Sequence, residues 1–353
     1  MKRLALLVGS SLVSLLAAEG VVRWLQPGEY QDASIYTDDG IEVPLQEIVH
    51  ILRHQGQQER HIEGPHGRLQ PNVRWKSGYD RPQWDYFDEQ GCISLHTNSL
   101  GFRDLEFSLQ KPDGQLRILA LGDSFTYGQG VQLEDTWVQV LEGMLGERLS
   151  KPVEVMNGGF ATGGHYPPQY VEWLREEGLA FSPDVVVIGL CLNDLSMKVP
   201  LLAYPRATPE PWVGGASSLL NWVQFELEQA EIKRQARDYA EVVRGDPEWW
   251  DQTQAAFIEM RDLLAEREVR FVVAVLPMMS QLGDEYPYMG IHEMVAEFCA
   301  RNGIAFTDSL PRFRGMEETS LWVHPVDQHP NDVGHRIIAE DLGDYLIRER
   351  IVE

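Results

Sequence analysis

Residues 117–128 read Arg-Ile-Leu-Ala-Leu-Gly-Asp-Ser-Phe-Thr-Tyr-Gly, an apolar run that passes directly into a small polar turn. A short apolar run without alternating polar residues is typical of a strand that is buried on both faces of a sheet. Ser124 stands where this strand ends and the next helix begins, and Gly122 allows a tight turn before it. The stretch therefore predicts an exposed serine at the carboxyl end of a central strand.

Similar apolar runs recur along the chain, at Val153–Met156, Val185–Leu190, Phe271–Leu276 and Ile304–Thr307. Segments with helical spacing separate them, and another such segment, Ile338–Leu346, follows the last run. Strands that alternate with helices form βαβ units, so we predict a three-layer α/β sandwich whose central parallel sheet is covered by helices on both faces. Functional sites of such sheets lie beyond the carboxyl ends of the strands.

The amino terminus has the pattern of a targeting segment. Lys2 and Arg3 precede an uncharged apolar run, Leu4–Ala18, which predicts a signal anchor or signal peptide within residues 1–26. The run is shorter than the roughly 18 to 20 residues that span a bilayer. We expect an uncleaved anchor that leaves the rest of the chain outside the cytoplasmic membrane, facing the periplasm or the extracellular space. A cleaved secretory signal and an amphipathic helix docked on the protein's own core remain alternatives.

The rest of the chain divides into two parts. Residues 27–114 are rich in Gly, Pro, Asp, Gln and His with little periodicity, which indicates a loop-rich N-terminal extension that wraps the following domain. Residues 115–353 form that domain. Within it, residues 196–251 interrupt the alternation with several prolines and a long helical pattern. This insertion is either a lid or substrate platform or a surface decoration.

Composition limits the partners. The chain has 30 basic and 54 acidic residues and a formal charge of -24 at pH 7. A surface of this charge repels phosphate backbones, so we expect no nucleic-acid partner. Cys92, Cys191 and Cys299 lie far apart and lack metal-ligand spacing. We therefore expect neither a metal site nor another cofactor.

A histidine near the carboxyl terminus complements the serine. His329 lies in a Pro-flanked loop, with Asp327 two residues earlier and the final helix directly after it. A histidine can take the proton of a serine hydroxyl while an aspartate orients its ring. Asn331 and Asp332 are candidate caps for the final helix.

Two further strand ends offer hydrogen-bond donors. A glycine-rich loop, residues 157–164, follows the second run, and Asn193-Asp194 follows the third. Backbone N–H groups of such a loop and the Asn193 side chain could face the negative oxygen of a tetrahedral intermediate. Taken singly, these stretches are a flexible loop and an Asn-Asp turn.

Together these blocks, in this order, resemble those of the SGNH (GDSL-type) hydrolase family. The resemblance extends from about Asn98 to Leu346. Residues 98–103, Asn-Ser-Leu-Gly-Phe-Arg, and residues 131–136, Val-Gln-Leu-Glu-Asp-Thr, also resemble a group of membrane-anchored bacterial members. The resemblance implies a flavodoxin-like fold, with Ser124 as nucleophile, His329 as base and Asp327 as the third member of a triad.

The resemblance also implies an oxyanion hole made of the Ser124 N–H, the Asn193 side chain and a glycine N–H. We assign that glycine to Gly163, with Gly159 and Gly164 as alternatives. Two departures from the family pattern concern the triad and the oxyanion loop. The family's acidic residue usually stands three positions before the histidine, where this chain has Val326, and Cys191-Leu192 replaces the glycine expected before the Asn-Asp block.

These residues predict a serine-dependent hydrolase of O-acyl esters, with an acylated small molecule, carbohydrate or lipid as substrate. Transfer of the acyl group to a surface polysaccharide would use the same acyl-enzyme, because only the acceptor differs. A non-catalytic scaffold with the same fold is the third interpretation.

Overall fold

The computed structural model describes residues 17–22, 33–43, 69–160, 166–195, 217–325 and 327–353. The strands are β1 (Ser34–Thr37), β2 (Glu42–Val43), β3 (Arg74–Gly78), β4 (Cys92–His96), β5 (Leu116–Gly122), β6 (Val153–Gly159), β7 (Val185–Cys191), β8 (Arg270–Leu276), β9 (Ala305–Asp308), β10 (Trp322–His324) and β11 (Asp327–Pro330). The helices are α1 (Ser124–Tyr127), α2 (Trp137–Leu149), α3 (Pro167–Glu176), α4 (Ser218–Arg237), α5 (Tyr239–Arg244), α6 (Gln252–Ala265), α7 (Met289–Arg301), α8 (Leu310–Phe313) and α9 (Asp332–Arg348). Short helical turns occur at Leu133–Asp135, Gly178–Phe181, Leu192–Leu195, Pro247–Asp251 and Glu318–Ser320.

The central sheet is parallel and has the order β6-β5-β7-β8-β9. Numbered within the sheet, this order is 2-1-3-4-5, the flavodoxin-like arrangement. Every residue of β5 and β7 is buried, as expected for strands covered on both faces. The predicted apolar runs all coincide with strands of this sheet, so the predicted fold class is confirmed.

Helices cover both faces of the sheet. The order reverses between β6 and β7, and right-handed crossovers therefore place α2 on one face and α3, α6 and α7 on the other. α2 packs against the final helix α9, and α3 packs against α6. The resulting core is continuous and includes Trp137, Trp173 and Phe257, which are almost entirely buried.

The extension contains regular structure that its sequence did not indicate. β1 to β4 form a separate antiparallel sheet with the order β2-β1-β3-β4. Its apolar side chains form a second cluster with Tyr127, which ends α1, and with Val323 of β10. The described part of the extension therefore packs directly on the segments that flank the sheet's carboxyl edge.

A short helix at residues 17–22 adjoins the insertion. The Glu19 carboxylate accepts hydrogen bonds from Ser217 Oγ (2.7 Å) and from the backbone N–H groups of Ser218 (2.9 Å) and Leu219 (3.0 Å). A carboxylate at this position satisfies unpaired N–H groups at the amino end of α4 and interacts favourably with the helix dipole. The 17–22 helix is thereby joined to the helix that opens the described part of the insertion.

None of the helices in the described ranges combines the length and apolar character needed to cross a bilayer. Most of the predicted 1–26 segment lies outside those ranges. The long helical pattern of the insertion is present as α4 and α5. Residues 196–216 lie outside the described residues.

Candidate active site

Ser124 opens a one-turn helix at the carboxyl end of β5. Asp123 caps this helix, its Oδ1 accepting a hydrogen bond from Phe125 N at 2.9 Å. Gly128 ends it with a φ of 85°, in the left-handed region that favours glycine. Ser124 is the first residue of the helix, where a backbone N–H has no acceptor within the helix. The backbone N–H and the hydroxyl of Ser124 therefore both project from the same tight turn.

Close backbone packing fixes this turn from the sheet side. A Cβ on Gly122 would come within 2.6 Å of the Gly189 carbonyl oxygen, and a Cβ on Gly159 within 2.1 Å of Tyr127 N. Only glycine permits such approaches between backbones. The ends of β5, β6 and β7 thus meet directly around the serine turn.

Buried Arg103 holds the other end of the turn. Its Nη1 donates to the carbonyl oxygens of Tyr127 (2.7 Å) and Gly128, and its Nη2 donates to that of Val131 (2.5 Å). These oxygens lie at and just beyond the carboxyl end of α1, where carbonyls lack partners within the helix. Arg103 is the last residue of the 98–103 segment, Asn-Ser-Leu-Gly-Phe-Arg.

His329 reaches Ser124 from the hairpin formed by β10 and β11. His329 Nε2 lies 2.8 Å from Ser124 Oγ, and His329 Nδ1 lies 2.5 Å from Asp327 Oδ1. Asp327 Oδ1 also accepts a hydrogen bond from His329 N at 3.1 Å. The structure therefore brings the predicted serine, histidine and aspartate into one hydrogen-bonded chain.

The two-residue spacing of Asp327 and His329 has a structural reason. Both residues lie in β11, and alternate residues of a strand point to the same side. An aspartate two positions before the histidine can therefore reach its ring within one strand. Val326, the position where the family usually has its acid, lies outside the described residues. Asn331 caps the following helix α9 by accepting from Gly334 N at 3.1 Å, as predicted.

Electrostatic interactions within the site favour the ionised form of Asp327 and raise the basicity of His329. Burial raises the pKa of Asp327, but the charge of His329 and hydrogen bonds from His329 and Tyr79 lower that pKa, and the net shift is downward. Burial lowers the pKa of His329, whereas the charge and hydrogen bond of Asp327 raise it, with a further contribution from Asp123. The net shift places the pKa of His329 above its ordinary value of 6.5.

Asn193 lies beside the serine turn, in the short helical turn after β7. Its side chain adjoins Asp123, whose pKa burial raises while the Phe125 N–H and the Asn193 side chain oppose the rise. The Asn193 Oδ1 atom is buried and accepts no hydrogen bond from the described residues. Asp194 holds the turn, because its Oδ2 accepts a hydrogen bond from Cys191 N at 3.2 Å.

The predicted glycine donor belongs to the loop that follows β6. Gly163 and Gly164 lie in residues 161–165, outside the described residues. Gly159 N donates to Asn157 Oδ1 at 3.0 Å, so its N–H is already engaged. The N–H of Gly159 therefore does not face an oxyanion in this structure.

The sequence analysis did not predict one contact of the hydrogen-bonded residues Ser124, His329 and Asp327. Tyr79, from the extension, donates its hydroxyl hydrogen bond to Asp327 Oδ2 at 2.6 Å. Tyr79 lies in a stretch without periodicity and far from every motif, and no local signal indicated it. Within the described ranges, no cluster of His, Cys, Asp and Glu is arranged to hold a metal ion.

Comparison with known proteins identifies a family. The GDSL-like Lipase/Acylhydrolase family model matches residues 120–337, more than half of the chain. No curated protein sequence matches the chain.

The solved structures that are similar to this one share little sequence with it. TesA is 16% identical, with a TM-score of 0.44 over 67% of this chain and 99% of its own. A two-domain esterase (CEX) active on acetylated mannans is 15% identical, with a TM-score of 0.42 over 68% of this chain and 50% of its own. The psychrotrophic esterase EstA from Pseudoalteromonas sp., in a structure inhibited by monoethylphosphonate, is 14% identical, with a TM-score of 0.41 over 66% and 98%. Sequence identities and TM-scores this low support no statement about activity. The assignment of activity rests on the family match.

The raised pKa of His329 predicts the acid limb of the pH profile. A base must be neutral, so kcat/KM should fall as the pH decreases through a midpoint above 6.5. Asp327→Asn removes the charge that raises this pKa and leaves the burial that lowers it. The variant should therefore move the midpoint to lower pH and reduce kcat by about 10⁴-fold. A wild-type midpoint below 6.5, or an unchanged midpoint in Asp327→Asn, would contradict this account of the charges.

Asn193→Ala tests the second donor. A group that binds the oxyanion acts mainly in the transition state, so kcat should fall by about 100- to 1,000-fold, roughly 3 to 4 kcal/mol, with KM little changed. Asp194→Ala is the comparison, because loss of its bond to Cys191 N should lower the melting temperature as well as the rate. If steady-state kinetics show a kcat within a few-fold of wild type for Asn193→Ala, Asn193 is not an oxyanion donor and the Asn193-Asp194 stretch is only a structural turn.

Proposed function

Since the chain belongs to the GDSL-like lipase/acylhydrolase family and is a carboxylic ester hydrolase, we propose that it cleaves O-acyl esters through a covalent acyl-enzyme on Ser124. The observation that carries the proposal is the chain from Ser124 Oγ through His329 to Asp327, with separations of 2.8 Å and 2.5 Å. This is the geometry of a serine that is activated by a base, with the base oriented by a carboxylate.

In the first half of the reaction, Ser124 Oγ attacks the ester carbonyl carbon while His329 Nε2 takes the hydroxyl proton. The resulting oxyanion receives hydrogen bonds from Ser124 N–H and the Asn193 side chain. Collapse of the intermediate breaks the bond to the alcohol oxygen, and that oxygen takes the proton from His329. Asp327 remains ionised and stabilises the imidazolium that exists between these two proton transfers.

In the second half, a water molecule gives a proton to His329 and attacks the acyl group on Ser124. A second tetrahedral intermediate then releases the carboxylic acid and restores the serine hydroxyl. The substrates that we propose are acyl esters of carbohydrates or lipids. Hydrolysis requires no acceptor other than water, so release of the free carboxylic acid over many turnovers in the absence of any glycan acceptor separates hydrolysis from acyl transfer, in which the acyl-enzyme would accumulate after one release of the alcohol.

We further propose that residues 1–26 direct the protein to the membrane, with the hydrolase domain outside the cytoplasm. The basic flank of Lys2 and Arg3 before an apolar run supports this placement. Within the same segment, Glu19 links the 17–22 helix to α4. Val21 and Leu220, close in sequence to the two sides of this link, are exposed apolar residues.

Ser124→Ala is the direct test of the nucleophile. The variant should lose ester hydrolysis to the level of background while it keeps the wild-type melting temperature, because the hydroxyl projects from the turn and its loss leaves the packing intact. Ser94→Ala changes an exposed serine of β4 in the same way and should retain full activity. Substantial turnover by pure, folded Ser124→Ala protein would refute the proposed mechanism.

Cell fractionation tests the placement. The full-length protein should sediment with membranes, and a variant without residues 1–26 should not. The truncation also removes Glu19, so circular dichroism should first establish that the truncated protein is folded. Recovery of the full-length protein in the soluble cytoplasmic fraction would contradict the proposal.

A further inference from the structure

The N-terminal extension contacts the proposed triad at one atom, a carboxylate oxygen of Asp327. Asp327 has two carboxylate oxygens, and His329 uses only Oδ1, through its ring at 2.5 Å and its backbone N–H at 3.1 Å. The other oxygen, Oδ2, accepts the hydrogen bond from Tyr79 Oη at 2.6 Å. The side chain of Asp327 is therefore held from both sides, by the histidine and by the tyrosine.

The packing of Tyr79 leaves its ring little freedom. Its side chain belongs to the second apolar cluster and the residue is only 4% exposed. Phe87 meets its ring edge-on with centroids 5.6 Å apart, and the His324 ring lies 5.3 Å away. Its backbone N–H is bonded to the Gly91 carbonyl oxygen at 3.0 Å. The hydroxyl is thus presented to Asp327 from a fixed position.

The segment after Tyr79 is also attached to the hairpin that carries Asp327 and His329. Trp84 Nε1 donates to the Trp322 carbonyl oxygen at 2.7 Å, and His324 Nε2 lies 2.7 Å from the Asp80 carbonyl oxygen. These two contacts join the extension to β10. They fix the distance between Tyr79 and β11 independently of the bond to Asp327.

Tyr79 stays a hydrogen-bond donor throughout the working pH range. Burial raises the pKa of its phenol, and the charge of Asp327 and the hydrogen bond to it raise it further, whereas Gln129 opposes these effects. The net pKa lies well above its ordinary value of 10.0. A neutral phenol next to a carboxylate forms a charge-assisted hydrogen bond, which is stronger than one between neutral groups.

From this geometry we propose that Tyr79 is a positioning residue of the active site, contributed by the N-terminal extension. Its hydroxyl fixes the rotation of the Asp327 carboxylate so that Oδ1 faces His329 Nδ1. It also draws part of the carboxylate charge away from the histidine, and so moderates the basicity of His329. The proposal rests on the proposed function, since it assigns Tyr79 a role only if Asp327 and His329 serve Ser124.

Tyr79→Phe removes the hydroxyl and keeps the ring against Phe87 and His324. We expect kcat to fall about 10- to 100-fold, the effect of losing one hydrogen bond to a charged group, with KM little changed. The acid limb of kcat/KM should move to higher pH, because the carboxylate, without its donor, holds the imidazolium more strongly. Rates should be expressed per active site titrated with a fluorophosphonate, so that any unfolded fraction does not contribute.

Tyr86→Phe is the matched control. Tyr86 packs against the same cluster, and its buried hydroxyl makes no hydrogen bond within the described part of the chain. The same chemical change at position 86 should leave kcat, KM and the pH profile as in wild type. The Tyr79 hydroxyl donates to Asp327, whereas the Tyr86 hydroxyl makes no hydrogen bond within the described residues, so a difference between the two variants reports the contacts of the Tyr79 hydroxyl.

A double-mutant cycle with Asp327→Ala, which removes the acceptor of the Tyr79 hydrogen bond, distinguishes positioning from general packing. Without the carboxylate, the further change Tyr79→Phe should alter kcat by less than about threefold, because the two residues act through one contact. An equal loss in both backgrounds would overturn the proposal, and so would a wild-type rate and pH profile in Tyr79→Phe. These results would leave the proposed function intact as long as Ser124→Ala is inactive, whereas an active Ser124→Ala would refute the proposed function itself.

Discussion

The site depends on one chain of hydrogen bonds, which runs from Ser124 Oγ through both nitrogens of His329 to Asp327 and on to Tyr79. Each link is short. The links from Ser124 to His329 and from Asp327 to Tyr79 join elements that are remote in sequence, whereas His329 and Asp327 lie in one strand. The serine belongs to the turn after the first strand of the central sheet, the histidine and aspartate to a carboxyl-terminal hairpin, and the tyrosine to the extension. Since none of these groups could act alone, the surrounding structure has to hold these three segments in fixed relative positions.

Hydrogen bonds of buried polar side chains hold these segments in place. Arg103 ties the end of the serine helix to the extension, and Asn331 caps the helix that follows the hairpin. Asp194 holds the turn that carries Asn193. Buried polar side chains are tolerated because their hydrogen bonds are made, and loss of one partner would leave the other unsatisfied. The extension therefore contributes both packing and polar contacts to the edge of the sheet where the site lies.

The sequence predicted the central sheet well and the extension poorly, for physical reasons. Strands such as Val185–Cys191, buried on both faces, leave a continuous apolar run in the sequence. The strands of the extension are short and half-buried, and Arg74–Gly78 carries no apolar run at all. Ser124 and His329 were found because they stand beside strand and helix signals. Tyr79 acts through a contact with Asp327, 248 positions away, and such a contact leaves no local pattern.

The central claim is that Ser124 carries the acyl group, activated by His329. Intact-mass measurement after treatment with a fluorophosphonate tests it most directly, followed by peptide mapping of the adduct. The account predicts one adduct per chain, located on Ser124, that forms much more slowly in His329→Ala and is absent in Ser124→Ala. An adduct on another residue, or modification of Ser124→Ala at the wild-type rate, would contradict it.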